Sequence, residues 1–337
     1  MINNEPQINQ RQVAVCSAFN GWLYAVYSLT DSINNSAAFK VMRSTDNGIT
    51  WAHIISGVFS EVFKSFTSID IEVTGDSVSN LKVFIALVAS SGTNPLISRG
   101  EAHVYKFNGV TGDFEDVLLT DYSSTCIAIA SDYNYPAGNS NTHSIAVILS
   151  KFYSTVVRDS IIIFTCSNGG ISFDNRRVIA SATNFNIFHK VDITYGRSSS
   201  MNNGRCYVVW EEQANLSSST GHIYTAHSEP NFNSPFTIPI KLDSIDGSAL
   251  NNSRNPVISC QYNTTDNDSS NVTEMVLFDK YLPAENRYDI AGFYNLKSTT
   301  YLNEWQIMSC YPRSLGKVNN DCFHFVWLTL FQCLVTT

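Results

Sequence analysis

The feature that most constrains this chain is a spacing. Aromatic residues that close a polar turn stand at Trp51, Phe114, Phe173, Phe232 and Trp305, separated by 63, 59, 59 and 73 residues. Ahead of them lie short runs rich in Val, Ile, Tyr and Phe, bounded by Gly, Asn, Asp and Ser, which is the composition of strands and turns. A period near sixty with three or four strands per period predicts one small antiparallel sheet per repeat. Such a sheet exposes two apolar faces that only its neighbours can cover. The repeats run approximately over 10–60, 61–120, 121–183, 184–248 and 249–308, with a partial unit at 309–337.

The best-preserved turn is Ser44-Thr45-Asp46-Asn47-Gly48-Ile49-Thr50-Trp51. Asp46 and Asn47 carry short side chains that fold back onto following backbone N–H groups. Gly48 supplies a positive φ without steric cost. Thr50 and Trp51 re-enter a strand, with the indole placed to bury beneath the loop. A second copy, Cys166 to Phe173, keeps Gly170 and substitutes Asn168 for the Asp, Ser172 for the Thr and Phe173 for the Trp. The turn Asn108 to Phe114 keeps its glycines and its aromatic but has lost the Ser and the Asp.

On these residues the chain resembles the sialidase-type, Asp-box (BNR-type) β-propellers. The resemblance implies an all-β fold in one domain over 1–337. It implies six blades with the last incomplete, five or seven being the alternatives.

Composition agrees with many strands joined by polar turns: charged residues are 15% and aromatics 12%. A net charge of −8 argues against nucleic acid, which requires a basic face, and against anionic membranes. The longest apolar run, Cys322 to Val335, is too short to span a bilayer and is broken by His324, Thr329 and Gln332. Met1 to Glu5 has neither a basic n-region nor an apolar h-region. The expected location is nonetheless secreted or cell-surface, with a leader removed or lying outside this chain. The eight cysteines form no C-x-x-C pair and sit mostly in strand-like runs, so free buried thiols are expected over disulfides.

Aligning the first strand of each repeat places Ala14, Asp70, Ala128, Asp192 and Val257 at equivalent positions. In the resembling family that strand lines a central channel, so Asp70 and Asp192 are candidates for an acid/base pair in glycoside cleavage, or simply acids in a wet channel. Glu211 and Glu212 follow Trp210 at a strand end. There the indole is a candidate to stack on a sugar and the acids to bind its hydroxyls. Sialidases carry an Arg-Ile-Pro motif in a first strand, two further arginines, a Tyr–Glu pair and an Asp acid. Arg254 and Pro256 match that Arg/Pro spacing, but in the fifth repeat, and Arg11-Gln12-Val13 in the first lacks the proline.

No metal or cofactor is expected. The run Asp266 to Asn271 resembles the start of a calcium loop, but the sixth position lacks Gly and Leu277 stands where Glu belongs. With no demonstrable catalytic set, the expected function is a non-catalytic extracellular binding or structural module for adhesion, glycan or protein recognition. The alternative is a sialidase-like glycoside hydrolase.

Overall fold

The computed structural model describes residues 12–31, 36–59, 62–92, 99–132, 144–153, 158–166, 170–173, 175–182, 186–198, 205–214, 221–228, 235–244, 252–260, 262–263, 274–282, 286–295 and 305–308. Apart from two single 3-10 turns, the elements among the described residues are strands. The first repeat contains β1 (Val13–Ser17), β2 (Leu23–Asp31), β3 (Ser36–Ser44) and β4 (Ala52–Val58), hydrogen-bonded in that order. The second and third share one seven-stranded sheet built from β5 (Ser65–Thr74), β6 (Lys82–Ser90), β7 (Gly100–Asn108), β8 (Phe114–Asp132), β9 (Ser144–Tyr153), β10 (Arg158–Cys166) and β11 (Asn175–Ser181). The fourth holds β12 (Ile187–Ser198), β13 (Arg205–Gln213), β14 (Gly221–His227) and β15 (Ile240–Lys241). The fifth holds β16 (Ser253–Cys260), β18 (Glu274–Leu282), β19 (Arg287–Asn295) and β20 (Gln306–Met308). A short β17 (Tyr262–Asn263) pairs in parallel with the end of β12.

One expectation is corrected here. The described strands make four sheets, not six blades, and the incomplete unit at 309–337 lies outside the described residues. Each described repeat has a fourth strand after its turn, the upper of the three or four expected. In the second repeat that strand is the first half of β8. The second half of β8 is the inner strand of the third repeat, and Ser124 pairs with both Gly100 and Lys151. Nineteen continuous residues thus merge two repeats into one sheet.

The core lies between repeats. Along β6, Val83, Ile85, Leu87 and Ala89 pack toward the first repeat, while Phe84, Ala86 and Val88 pack toward the third. A strand buried on both faces loses polar alternation and reads as a continuous apolar run, as β6 and β13 do. Tyr207, Val209 and Ile223 meet Val276 and Phe278 between the fourth and fifth repeats. Each fully buried side chain of this size contributes about 1.5–3 kcal/mol of transfer free energy, so the stacking of repeats carries the stability.

The turn Ser44–Trp51 has the local geometry its residues predict. Ser44 Oγ accepts from Gly48 N (2.8 Å), Asp46 accepts from Thr50 N (2.8 Å) and from the Thr50 hydroxyl (2.5 Å), and Trp51 Nε1 donates to Gly48 O (3.0 Å). Both Asn47 and Gly48 have positive φ, 58° and 86°. The bonds from Thr50 and Ser44 hold the Asp46 carboxyl down to about 2. In the second copy Cys166 Sγ takes the place of Ser44 Oγ, accepting from Gly170 N at 3.1 Å, with Gly170 at φ 82°. Asn168 lies outside the described residues.

Candidate functional site at the channel mouth

The inner strands β1, β5, the second half of β8, β12 and β16 converge on a cavity of about 150 Å³. They contribute Gln12 and Val13; Ser68, Ile69 and Asp70; Cys126, Ile127 and Ala128; Lys190, Val191 and Asp192; and Asn255, Pro256 and Val257. These residues mark the end at which the inner strands begin. Ser17 pairs with Leu23 and Leu23 with Ser44, so the Ser44–Trp51 turn sits at the opposite end.

A register shift recurs in the inner strand at this level. It falls between Phe66 and Ser68, Ser124 and Ile127, Phe188 and Val191, and Arg254 and Val257. A bulge places extra residues on one strand and re-aims their side chains. Cys126, Lys190, Asn255 and Pro256 all reach the cavity from such bulges.

Neighbouring inner strands are joined by side chains accepting or donating across the gap. Gln12 Nε2 donates to Thr67 O (2.8 Å). Ser68 Oγ donates to Ile127 O (2.9 Å), Ile129 N donates to Asp70 Oδ2 (2.9 Å), and Ser131 Oγ donates to Glu72 Oε1 (2.6 Å). Residues two apart on β5 thus reach residues two apart on β8, a ladder made by one strand's side chains. Ile258 N donates to Asp192 Oδ2 (2.8 Å), joining β12 to β16, while Phe188 N of β12 donates to Asp159 Oδ2 of β10 (3.1 Å), outside the inner strands.

Asp70 and Asp192 therefore both line the cavity and both act as clamps. Each accepts the next residue's N–H through Oδ1 as well, at 2.8 and 2.9 Å. Glu211, only 1% exposed, accepts from Asn255 N at 3.0 Å and from the Gln213 side-chain amide. Asn255 has φ 51°, and its Nδ2 donates to Asp279 Oδ2 at 2.9 Å. Gly221 is needed beside this bond, because a Cβ there would meet Ser253 O at 2.5 Å and Glu211 Oε1 at 3.1 Å. Burial pushes the Asp279 carboxyl up, opposed by the Asn255 bond and the positive charge of Arg254. Glu212 is half-buried and accepts from Asn186 Nδ2 at 2.7 Å.

Trp210 is a correction to the sugar-stacking expectation. It is 1% exposed, with Phe188 edge-on at 6.4 Å and Tyr224 stacked at 5.9 Å, so neither ring face meets solvent. Its place in the continuous apolar run of β13 carried that signal. Asp159 was not singled out from sequence. It is 3% exposed, and burial lifts its carboxyl to about 6 against the opposing charge of Arg99. No local motif marks it, since its setting is made by β7 and β12.

Among the described residues no group of three or more His, Cys, Asp or Glu side chains is placed to hold a metal ion, and the five described cysteines are free. Asp266 to Asn271 lies outside the described residues. No helix among the described residues is long and apolar enough to cross a membrane.

No protein-family model and no curated protein matches this sequence. Solved structures do match in shape. One is an α-L-arabinanase from Penicillium chrysogenum complexed with arabinobiose, at TM-score 0.53 and 12% identity over 89% of this chain and 81% of that one. Another is an α-L-arabinofuranosidase variant from Fusarium graminearum with an iminosugar inhibitor, at TM-score 0.55 and 12% identity over 90% and 81%. The fold is a β-propeller. At this identity the likeness concerns the propeller's architecture and not its chemistry.

Proposed function

We propose that this propeller is a carbohydrate-active protein of the glycoside-hydrolase type, taking the end of a glycan at the channel mouth. The observation that carries the reading is the convergence of five inner strands, four of them bulged, on one polar cavity lined by Asp70, Lys190, Asp192 and Asn255. Its volume is below the roughly 300–1,000 Å³ of pockets for drug-sized ligands, which suits one sugar ring rather than a stretch of polymer. The fold shared with an α-L-arabinanase and an α-L-arabinofuranosidase supports the same reading. The two boxed turns support membership of the Asp-box propellers. A glycan partner is met outside the cell, so secretion or surface display belongs to this proposal.

In the hydrolase, Asp70 and Asp192 are the acid/base candidates inside the cavity, with Glu211 and Arg254 at its rim. A second reading, non-catalytic glycan recognition, is favoured by one observation: both oxygens of Asp70 and of Asp192 already accept backbone N–H groups. A panel of arabinofuranosides, other neutral glycosides and sialosides separates the two. Turnover that disappears in Asp192→Asn, assayed at a temperature where circular dichroism shows the variant fully folded, supports hydrolysis. Binding without turnover of any substrate supports recognition alone. Neither binding nor turnover would sink both.

A further inference from the structure

We infer that Lys190 is the ligand-binding residue of the channel mouth, its ammonium donating to an acceptor oxygen of the bound sugar. The inference rests on the proposed glycan site and assigns its specificity-determining contact, whether the sugar is cleaved there or only held.

The backbone fixes where the Lys190 side chain starts. The register shift in β12 falls between Phe188 and Val191, so His189 and Lys190 stand outside the β12–β13 pairing. Both flanks of this bulge are pinned to the third repeat. Phe188 donates its N–H to Asp159 Oδ2 at 3.1 Å, and its carbonyl accepts from the Thr125 hydroxyl at 3.3 Å. The Val191 carbonyl accepts from Cys126 Sγ at 3.9 Å. The Phe188 and Val191 side chains are buried in the core shared with that repeat. A bulge re-aims the residues that it carries, and from this one Lys190 reaches the cavity wall. Its backbone is held while its long side chain is left to meet a ligand.

The bonding of the charged groups separates Lys190 from its neighbours. Among the described residues, Asp70, Lys190 and Asp192 are the charged side chains of the cavity wall. Both oxygens of Asp70 and of Asp192 accept backbone N–H groups, one from the next residue and one from the next repeat. At the rim, Glu211 is taken up by Asn255 N and the Gln213 amide, and Glu212 by Asn186. Lys190 is half-buried, and among the described residues no carboxylate or carbonyl is bonded to its ammonium. An ammonium carries three N–H donors and no acceptor. A ligand that strips water from it has to replace the lost bonds or bear the cost of leaving a charge unpaired. The ring, glycosidic and hydroxyl oxygens of a sugar can all accept. The two carboxylates fixed in the same wall favour a cation between them, which keeps the donor at the mouth.

The test is calorimetric titration of the full chain with arabinobiose, methyl β-D-galactoside and N-acetylneuraminic acid, continued with the sugar that binds most tightly. Lys190→Met is expected to weaken its binding at least about 10-fold, the loss of a hydrogen bond from a charged group. Lys82→Met removes a lysine paired with Glu115 at the opposite end of the channel, and is expected to leave the affinity unchanged. Singly deoxygenated analogues of the same sugar then locate the contact. One analogue is expected to lose about 10-fold against the wild type and under about 2-fold against Lys190→Met, the non-additivity of groups in contact. A structural role for Lys190 would not move that difference. Acetylation of the unaltered chain, read by mass spectrometry, needs no variant: bound sugar is expected to protect Lys190. Undiminished binding by Lys190→Met, equal analogue losses in both proteins, or Lys190 acetylated equally with and without sugar would each overturn the inference and leave the glycan site standing. No binding of any of the three sugars by the wild type would remove the glycan site itself, and the inference with it.

Discussion

The carboxylate of Asp192 accepts the backbone N–H of Ile258 at 2.8 Å, and so fastens the inner strand of one repeat to that of the next. Asp70 does the same to Ile129 two repeats earlier, within the seven-stranded sheet, at 2.9 Å. The inner strands of neighbouring repeats are bridged at the mouth by side chains, and those side chains set the separation of the strands that line the cavity. Removing one carboxylate oxygen should therefore cost stability. Asp192→Asn turns an N–H donor toward one of two backbone donors, and is expected to lose about 1–3 kcal/mol in denaturant unfolding, the cost of a buried unpaired group. An unchanged midpoint would contradict the clamp.

Glu211 should act on the cavity without touching its contents. It holds the amide of Asn255, whose left-handed backbone presents the bulge. Glu211→Gln can satisfy Asn255 N or the Gln213 amide, but not both. The expected result is a loss of about 1–3 kcal/mol in stability together with weaker sugar binding. Restoration of binding by Asn255→Gly, which tolerates the positive φ unaided, would separate positioning from direct contact.

The boxed turn should behave as a folding element only. Gly48→Ala places a Cβ at φ 86° and is expected to cost about 1–2 kcal/mol, with sugar affinity unchanged because the turn lies at the far end. A change in affinity with no change in stability would contradict that division of labour.

Glu274 gives the chain a pH signature. It is 1% exposed and neither of its carboxylate oxygens has a hydrogen-bond partner. Burial lifts its pKa to about 8, against the opposing charge of Arg205. A folded-state pKa raised above the unfolded value means the folded protein holds the proton more tightly. Its contribution is therefore fully present below about pH 4.3, the usual Glu value, and is lost as pH rises through about 8. Glu274→Gln is expected to leave stability nearly unchanged at acidic pH and to raise it above pH 8, flattening the curve between. Destabilisation by the same substitution at high pH would mean that an ionised Glu274–Arg205 pair is the favoured state.

Much of the fold was legible because its signals are local. The Ser44–Trp51 turn carries its own hydrogen-bond donors and acceptors within eight residues, and the apolar runs of β6 and β13 announce strands buried on both faces. The positions of the fourth strands were not legible. β4 and β11 are half-exposed with mixed side chains, and β15 and β20 span only two and three residues. The merging of two repeats through β8 depends on pairing with strands on both sides, which no window of sequence reports. Asp70 and Asp192 were marked by alternation as acids at the channel. Their bonds to Ile129 and Ile258 join residues 59 and 66 positions away, so the clamp could not be read locally. Trp210 failed as a sugar platform for the converse reason: a tryptophan in an apolar strand finds its partners, Phe188 and Tyr224, inside the protein.

The most direct test of the central claim is a titration of the isotope-labelled chain with arabinobiose, followed through backbone amide resonances. A glycan end seated in the channel mouth predicts saturable shifts concentrated at the amides of Ile129, Asn255 and Ile258, with Gly48 and Thr50 unmoved. Saturable shifts at the Ser44–Trp51 turn with the mouth amides unmoved would contradict it.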